Sequence, residues 1–197
     1  MKISPKVNRT IFLVCIIHIV VLIINLVQRQ NHINVTSGFR LWINIFSDIT
    51  YLLPLLYLSA ILKFAGEKKY IVYLYFIYAV IEIINFILNY IPFSTSTYSI
   101  LTLMIGIIIS IFMICIIIIS FNIRRPELRL PFRIFAFVYI LLLIINFGIP
   151  LLMPLIVDVQ TYLMMTKYII YSHYISILAI SYIIYKATFL FKKYNEL

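Results

Sequence analysis

Four polar residues interrupt one long apolar stretch at steps of four, three and four: Tyr78, Glu82, Asn85 and Asn89. This spacing places their side chains on one face of an α-helix. Inserting a carboxylate at the middle of a membrane-length segment costs about 3 kcal/mol, so Glu82 needs a reason to be there. Such an acid can hold a cation, exchange a proton or join helices through hydrogen bonds.

Further polar residues interrupt the other apolar runs, and with this stripe they form a predicted binding cluster. Its members are Glu82, Asp48, Asn25, Asn85, Asn146, His173 and Tyr78. No lysine or arginine lies inside the apolar runs to pair with the two acids, so we expect Glu82 to be protonated at neutral pH unless a cation or His173 lies beside it. The same pattern is also explained if these polar side chains only join neighbouring helices and bind no ligand.

Composition indicates the class of protein. The chain has 64% hydrophobic and 11% charged residues, far from the balance of a soluble domain. We therefore predict an all-α integral membrane protein. Its formal net charge of +10 comes from basic residues between the apolar runs, which indicates a topology signal and not nucleic-acid binding.

The apolar runs divide the chain into six predicted membrane-spanning segments in a single domain. They cover residues 11–27, 41–62, 70–90, 98–121, 134–157 and 168–185. The fourth segment has no charged residue, and its Gly106 and Ser110 permit close helix contact; it is either a lipid-facing or a packing helix.

Basic residues predict the orientation. With both termini in the cytoplasm, the inner segments hold three, three, four and three of the 16 basic residues, and only Arg29, Arg40 and Lys167 fall outside. The densest stretch, Arg124 to Arg133, contains two prolines that we expect to stop any helix. We also expect this stretch to contact anionic lipid headgroups. The predicted location is the inner (plasma) membrane of a cell.

The chain also shows a possible threefold repeat. Asn25, Asn85 and Asn146 each follow Ile-Ile, and an aromatic ring stands seven residues before each asparagine, at His18, Tyr78 and Tyr139. A repeated helical hairpin would produce this pattern. Isoleucine is so common here that independent polarity at the outer helix ends would also produce it.

Several features together resemble a family of short bacterial multi-spanning membrane proteins with a glutamate in the third helix. They are Leu53-Pro54-Leu55, the basic pair Lys68-Lys69 leading to Glu82, Tyr98 at the start of the fourth segment, and a terminal helix rich in tyrosine and serine. The resemblance implies a polytopic bundle and no particular activity. Where the family pattern has a histidine and a glutamate around the tyrosine, this chain has Ser96 and Thr102, which implies a thinner polar cluster.

Three functions remain open on the sequence alone. We favour a non-enzymatic accessory subunit of a membrane protein or a small-ligand sensor, with a polar pocket in the outer half of the bundle. The alternative is a small transporter or proton/cation carrier that uses Glu82 and Asp48. The third is an intramembrane lipid hydrolase with two carboxylates as acid and base. Motifs for metal, nucleotide or nucleophile chemistry are absent, so we expect no cofactor and no metal.

Overall fold

The computed structural model describes residues 4–30, 37–92, 94–145, 158 and 172–195. Throughout these residues the regular structure is helical. The helices are α1 (Pro5–Gln30), α2 (Ser37–Phe64), α3 (Lys69–Leu88), α4 (Thr95–Ser120), α5 (Pro126–Leu143) and α6 (Ser172–Asn195). The first four are long and apolar enough to cross a membrane, and α6 contains a shorter apolar stretch, Ile175–Phe191. The predicted all-α class is confirmed.

The helices largely follow the predicted segments. α1 and α2 extend beyond segments 11–27 and 41–62 at both ends. α3 and α4 agree with segments 70–90 and 98–121 to within three residues at each end. The fifth segment, 134–157, falls outside the described residues after residue 145. α6 continues to Asn195, well past the predicted end at residue 185.

Two prolines were predicted to stop any helix running through the Arg124 to Arg133 stretch. The boundary between α4, which ends at Ser120, and α5 is confirmed, but the prediction is wrong for Pro131. α5 begins at Pro126 and continues through Pro131. Proline suits the first helical position because the amide hydrogen there would have no partner within the helix. Pro131 removes only the hydrogen bond that its own amide would have donated one turn back, and α5 continues with that single loss.

The helices form a closed ring in which each packs against its sequence neighbours, and α6 also packs against α1 and α2. The buried side chains along this ring form one hydrophobic core. Its largest fully buried members are aromatic: Tyr75, Tyr78, Tyr139, Phe132 and Phe135. Closure of the ring by α6 brings residues that are distant in the sequence to one central layer.

α4 is the most exposed of the four long helices. Its side chains Leu103, Met104 and Ile107 are more than half exposed, and nothing lies within 4 Å of a Cβ atom built on Gly106. The Gly106 and Ser110 pair is therefore not used for close packing inside this bundle. The exposed face of α4 therefore stays a prediction as to whether it meets lipid or packs against another protein.

One end of the bundle, here called the basic end, holds the turns between α2 and α3 and between α4 and α5. α2 ends at Gly66, whose φ of +72° is readily adopted only by glycine. The amides of Gly66 and Glu67 donate to the carbonyl oxygens of Lys63 and Leu62, which is the Schellman arrangement. This turn directs Glu67 toward the start of α5.

Glu67 joins the two turns at the basic end. Its buried carboxylate Oε1 accepts hydrogen bonds from the backbone amides of Arg124 and Arg125, at 3.0 and 2.9 Å. In return, the Arg125 guanidinium donates to the Ala65 carbonyl oxygen at 2.6 Å. A carboxylate at a helix N-terminus satisfies free amides and interacts favourably with the helix dipole.

We predict that Glu67→Ala lowers the free energy of unfolding by about 1–2 kcal/mol, because two amides at the start of α5 lose their acceptor. Glu67→Gln retains an acceptor oxygen and loses less. Unfolding in mixed detergent micelles measures both changes, with Lys69→Gln as the exposed control. Equal losses for the alanine and glutamine variants would contradict this role.

Candidate functional site

The polar stripe of α3 places Glu82 between two hydrogen-bonding neighbours. The Glu82 carboxylate accepts hydrogen bonds from the Tyr78 hydroxyl and from the Asn85 side-chain amide. Tyr78 is fully buried, whereas Glu82 and Asn85 are half-buried. These pairs span four and three residues, so the helix itself brings the groups together.

Tyr78 extends the hydrogen bonding from Glu82 to other helices. Its hydroxyl bonds with that of Tyr139 on α5, and the Tyr139 hydroxyl lies 3.3 Å from the Tyr51 hydroxyl on α2. Tyr51 in turn bonds with Ser176 on α6. Four helices therefore meet in one chain of neutral hydrogen-bonding groups ending at an acid. We call Glu82, Asn85, Tyr78, Tyr139, Tyr51 and Ser176 the Glu82 network.

His18 borders the Glu82 network from α1. Its ring lies 5.8 Å from that of Tyr51, and its Nδ1 is 2.9 Å from the Thr50 hydroxyl. The histidine is buried and also donates to the Ser47 carbonyl oxygen. Its hydrogen-bonding partners belong to α2, so it joins α1 to α2 and supports the ring of Tyr51.

An aromatic layer lies between the Glu82 network and the basic end. It consists of Tyr75, Phe132 and Phe135, all fully buried, with the Tyr75 ring 5.4 Å from that of Phe132 and 6.1 Å from that of Phe135. The Tyr75 hydroxyl forms a hydrogen bond of 2.6 Å with the Ser120 hydroxyl on α4. Toward the basic end, the network therefore meets apolar ring surface.

Asp48 lies apart from the Glu82 network in the described part of the bundle. Its carboxylate accepts a hydrogen bond from the Tyr90 hydroxyl at 3.0 Å, which joins α2 to the end of α3. The contacts described for Glu82 do not include Asp48. A neighbouring bond, from the Tyr98 hydroxyl to Asn89 at 3.2 Å, joins α3 to α4. These two bonds place further polar side chains near the end of the bundle opposite the basic end.

The structure brings together only some of the predicted cluster. Tyr78, Glu82 and Asn85 interact as their spacing predicts. Asn25 is half-buried on α1 without a hydrogen bond to the other described residues. Asn146 and the side chain of His173 lie outside the described residues.

Sequence reasoning missed three members of the network: Tyr51, Tyr139 and Ser176. A signal for Tyr139 was present, because it is the ring of the third predicted repeat unit and meets the ring of the second, Tyr78, at 6.2 Å. Tyr51 follows Asp48 by three residues and so shares its helix face. The threefold repeat itself stays a prediction, because Asn146 lies outside the described residues.

The network suits the recognition of a small polar or positively charged group. It offers a carboxylate, three phenol oxygens and an amide, and the contacts described for Glu82 include no basic side chain. Within the described residues, no group of three or more His, Cys, Asp or Glu side chains could hold a metal ion. Comparison with known proteins adds no assignment, since no family model, curated protein or solved structure matches the chain.

We predict that Tyr139→Phe destabilises the bundle by about 0.5–1.5 kcal/mol, because the hydroxyl that joins α3 and α5 to α2 is lost while the ring remains. Tyr73→Phe is the matched control, since Tyr73 is 61% exposed. Unfolding in mixed micelles measures both variants. Equal stability of the Tyr139 variant and the wild type would show that the hydroxyl chain does not join the helices.

Proposed function

We propose that the chain crosses the inner (plasma) membrane six times, with both termini in the cytoplasm and the basic end on the cytoplasmic side. Four helices of sufficient length and apolarity support this proposal. The remaining two crossings would use the apolar part of α5, continuing beyond residue 145, and the apolar stretch of α6. The bias of basic residues toward one side supports the orientation.

Cysteine labelling in intact cells tests this orientation, after Cys15 and Cys115 have been replaced by alanine. We expect a cysteine at position 35 to react with an impermeant reagent and one at position 127 to be protected. The reverse pattern would overturn the orientation. Labelling of both positions would show a mixed orientation.

We further propose that the basic end contacts anionic lipid headgroups through Arg124 and Arg133, whose side chains are exposed. Arg125 is half-buried and donates to the Ala65 carbonyl oxygen, whereas Arg129 is exposed and donates to the Ile123 carbonyl oxygen. Each exposed charge contributes about 1 kcal/mol of attraction to an anionic surface. In the labelling experiment, Arg124→Gln with Arg133→Gln should therefore weaken the orientation. The control Arg125→Gln should mainly lower stability, because this half-buried side chain donates within the protein.

For the activity, we propose a non-enzymatic small-ligand sensor or accessory subunit of a membrane protein. Its polar site would be the Glu82 network. The observation that carries this proposal is that the network meets the aromatic layer toward the basic end, whereas the polar residues beyond it, Asn85 and the separate Asp48–Tyr90 pair, lie toward the opposite end. Such a site can admit a ligand from one side without connecting the two sides.

A proton or cation carrier is the second candidate, because Glu82 has no basic partner among the described residues. A carrier needs polar groups that reach both membrane surfaces, and the aromatic layer opposes this. A lipid hydrolase using two carboxylates would need a second acid beside Glu82, whereas Asp48 bonds with Tyr90. The sensor or accessory role therefore agrees best with the geometry.

We predict that purified protein in liposomes conducts no more protons or potassium ions than empty liposomes under an imposed gradient, because in the described part of the bundle the aromatic layer separates the Glu82 network from the basic end. A pH-sensitive dye inside the vesicles and a potassium-selective electrode outside measure the two fluxes. Flux that Glu82→Gln abolishes would favour the carrier and contradict the sensor or accessory role. Flux that Glu82→Gln leaves unchanged would point to a leak around the protein.

A further inference from the structure

The acid end of the Glu82 network is partly exposed. Glu82 and Asn85 are half-buried, as is Tyr51, whereas Tyr78 and Tyr139 are each 1% exposed. A ligand that enters at the acid end would reach the carboxylate before the Tyr78 and Tyr139 hydroxyls. Any group that binds here must form favourable contacts with an acid that no described basic side chain neutralises.

Several hydroxyl groups are linked to this carboxylate. The Tyr78 hydroxyl bonds with it, the Tyr139 hydroxyl bonds with that of Tyr78, and the Tyr51 hydroxyl lies 3.3 Å from that of Tyr139. The side-chain amide of Asn85 contributes a further oxygen. Hydroxyl groups can rotate to accept hydrogen bonds as well as donate them, so this surface can present several acceptors to one donor group.

We propose that the Glu82 network binds the ammonium group of a small primary amine. This inference rests on the proposed small-ligand role of the site and names the ligand class. An ammonium group carries one positive charge and three hydrogen-bond donors with no acceptor. The carboxylate supplies the opposite charge, and the phenol and amide oxygens accept the remaining hydrogens. Charge-assisted hydrogen bonds of this kind are the stronger ones in proteins.

Two other classes of cation fit the same residues less well. A quaternary ammonium ion has no N–H donor and is bound through the faces of aromatic rings. Here the Tyr78 and Tyr139 rings pack edge to face at 6.2 Å, and Tyr139 also packs against Phe135 at 4.2 Å, so those faces are already used. A divalent metal ion normally binds several carboxylates or carbonyl oxygens, and Glu82 is the network's single carboxylate.

Thermal unfolding of the full chain in lipid nanodiscs tests this inference, with methylammonium chloride as the probe. We expect methylammonium to raise the unfolding midpoint in a saturable way. Tetramethylammonium chloride and potassium chloride at the same ionic strength should not do so. Comparable saturable shifts from either of these salts would overturn the requirement for N–H donors.

Variants locate the effect within the protein. We expect Glu82→Gln to weaken the apparent affinity for methylammonium by about tenfold or more, because a hydrogen-bonded opposite charge is lost. Glu67→Gln, the same change at the basic end, should retain the shift. Tyr78→Phe preserves the carboxylate and should weaken affinity less, so the test does not depend on one variant folding. An undiminished shift in both network variants would overturn the assignment.

Failure of the ligand assignment can be separated from failure of the proposed role. If a neutral solute such as glycerol gives a saturable, Glu82-dependent shift and methylammonium gives none, the ammonium assignment is wrong and the ligand site stands. If methylammonium binds as expected while the liposomes show Glu82-dependent ion flux, the ammonium assignment stands and the sensor or accessory role is wrong. If no probe shifts the midpoint, the ammonium assignment is overturned.

Discussion

A carboxyl group inside an apolar helix bundle must find partners within the protein, because neither lipid nor apolar side chains can solvate it. Glu82 finds them among neutral groups: the Tyr78 hydroxyl and the Asn85 amide on its own helix. Tyr78 is held in turn by Tyr139, and Tyr139 by Tyr51. The hydrogen bonds that begin at Glu82 therefore connect α3 to α5, α2 and α6.

Another acid, Glu67, is buried, and its partners differ in kind from those of the half-buried Glu82. Glu67 lies at the basic end, where backbone amides at the start of α5 surround its Oε1 and two turns close over it. This arrangement fixes the connection between the end of α2 and the start of α5. The partners described for Glu82 are instead side chains of its own helix, Tyr78 and Asn85.

Hydropathy and charge predicted the all-α class and the positions of α1 to α4, because a long apolar segment with polar ends reports directly on helix length. Helical spacing likewise predicted the contacts of Glu82 within α3. The hydrogen bonds from Tyr139 to Tyr51 and from Tyr51 to Ser176 depend on the order of helices around the ring, which one sequence does not encode locally. The continuation of α5 through Pro131 was wrongly predicted, because the loss of one hydrogen bond at this proline does not end the helix.

The central claim is that Glu82 is held by the hydroxyl chain that begins at Tyr78. A double-mutant cycle of Glu82→Leu and Tyr78→Phe, measured by unfolding in mixed micelles, tests it most directly. Two groups that bond with each other should show a coupling free energy of about 0.5 kcal/mol or more. The control cycle of Glu82→Leu with Tyr73→Phe should be additive, because Tyr73 is exposed. Additive effects for Glu82 and Tyr78, matching the control, would contradict the claim.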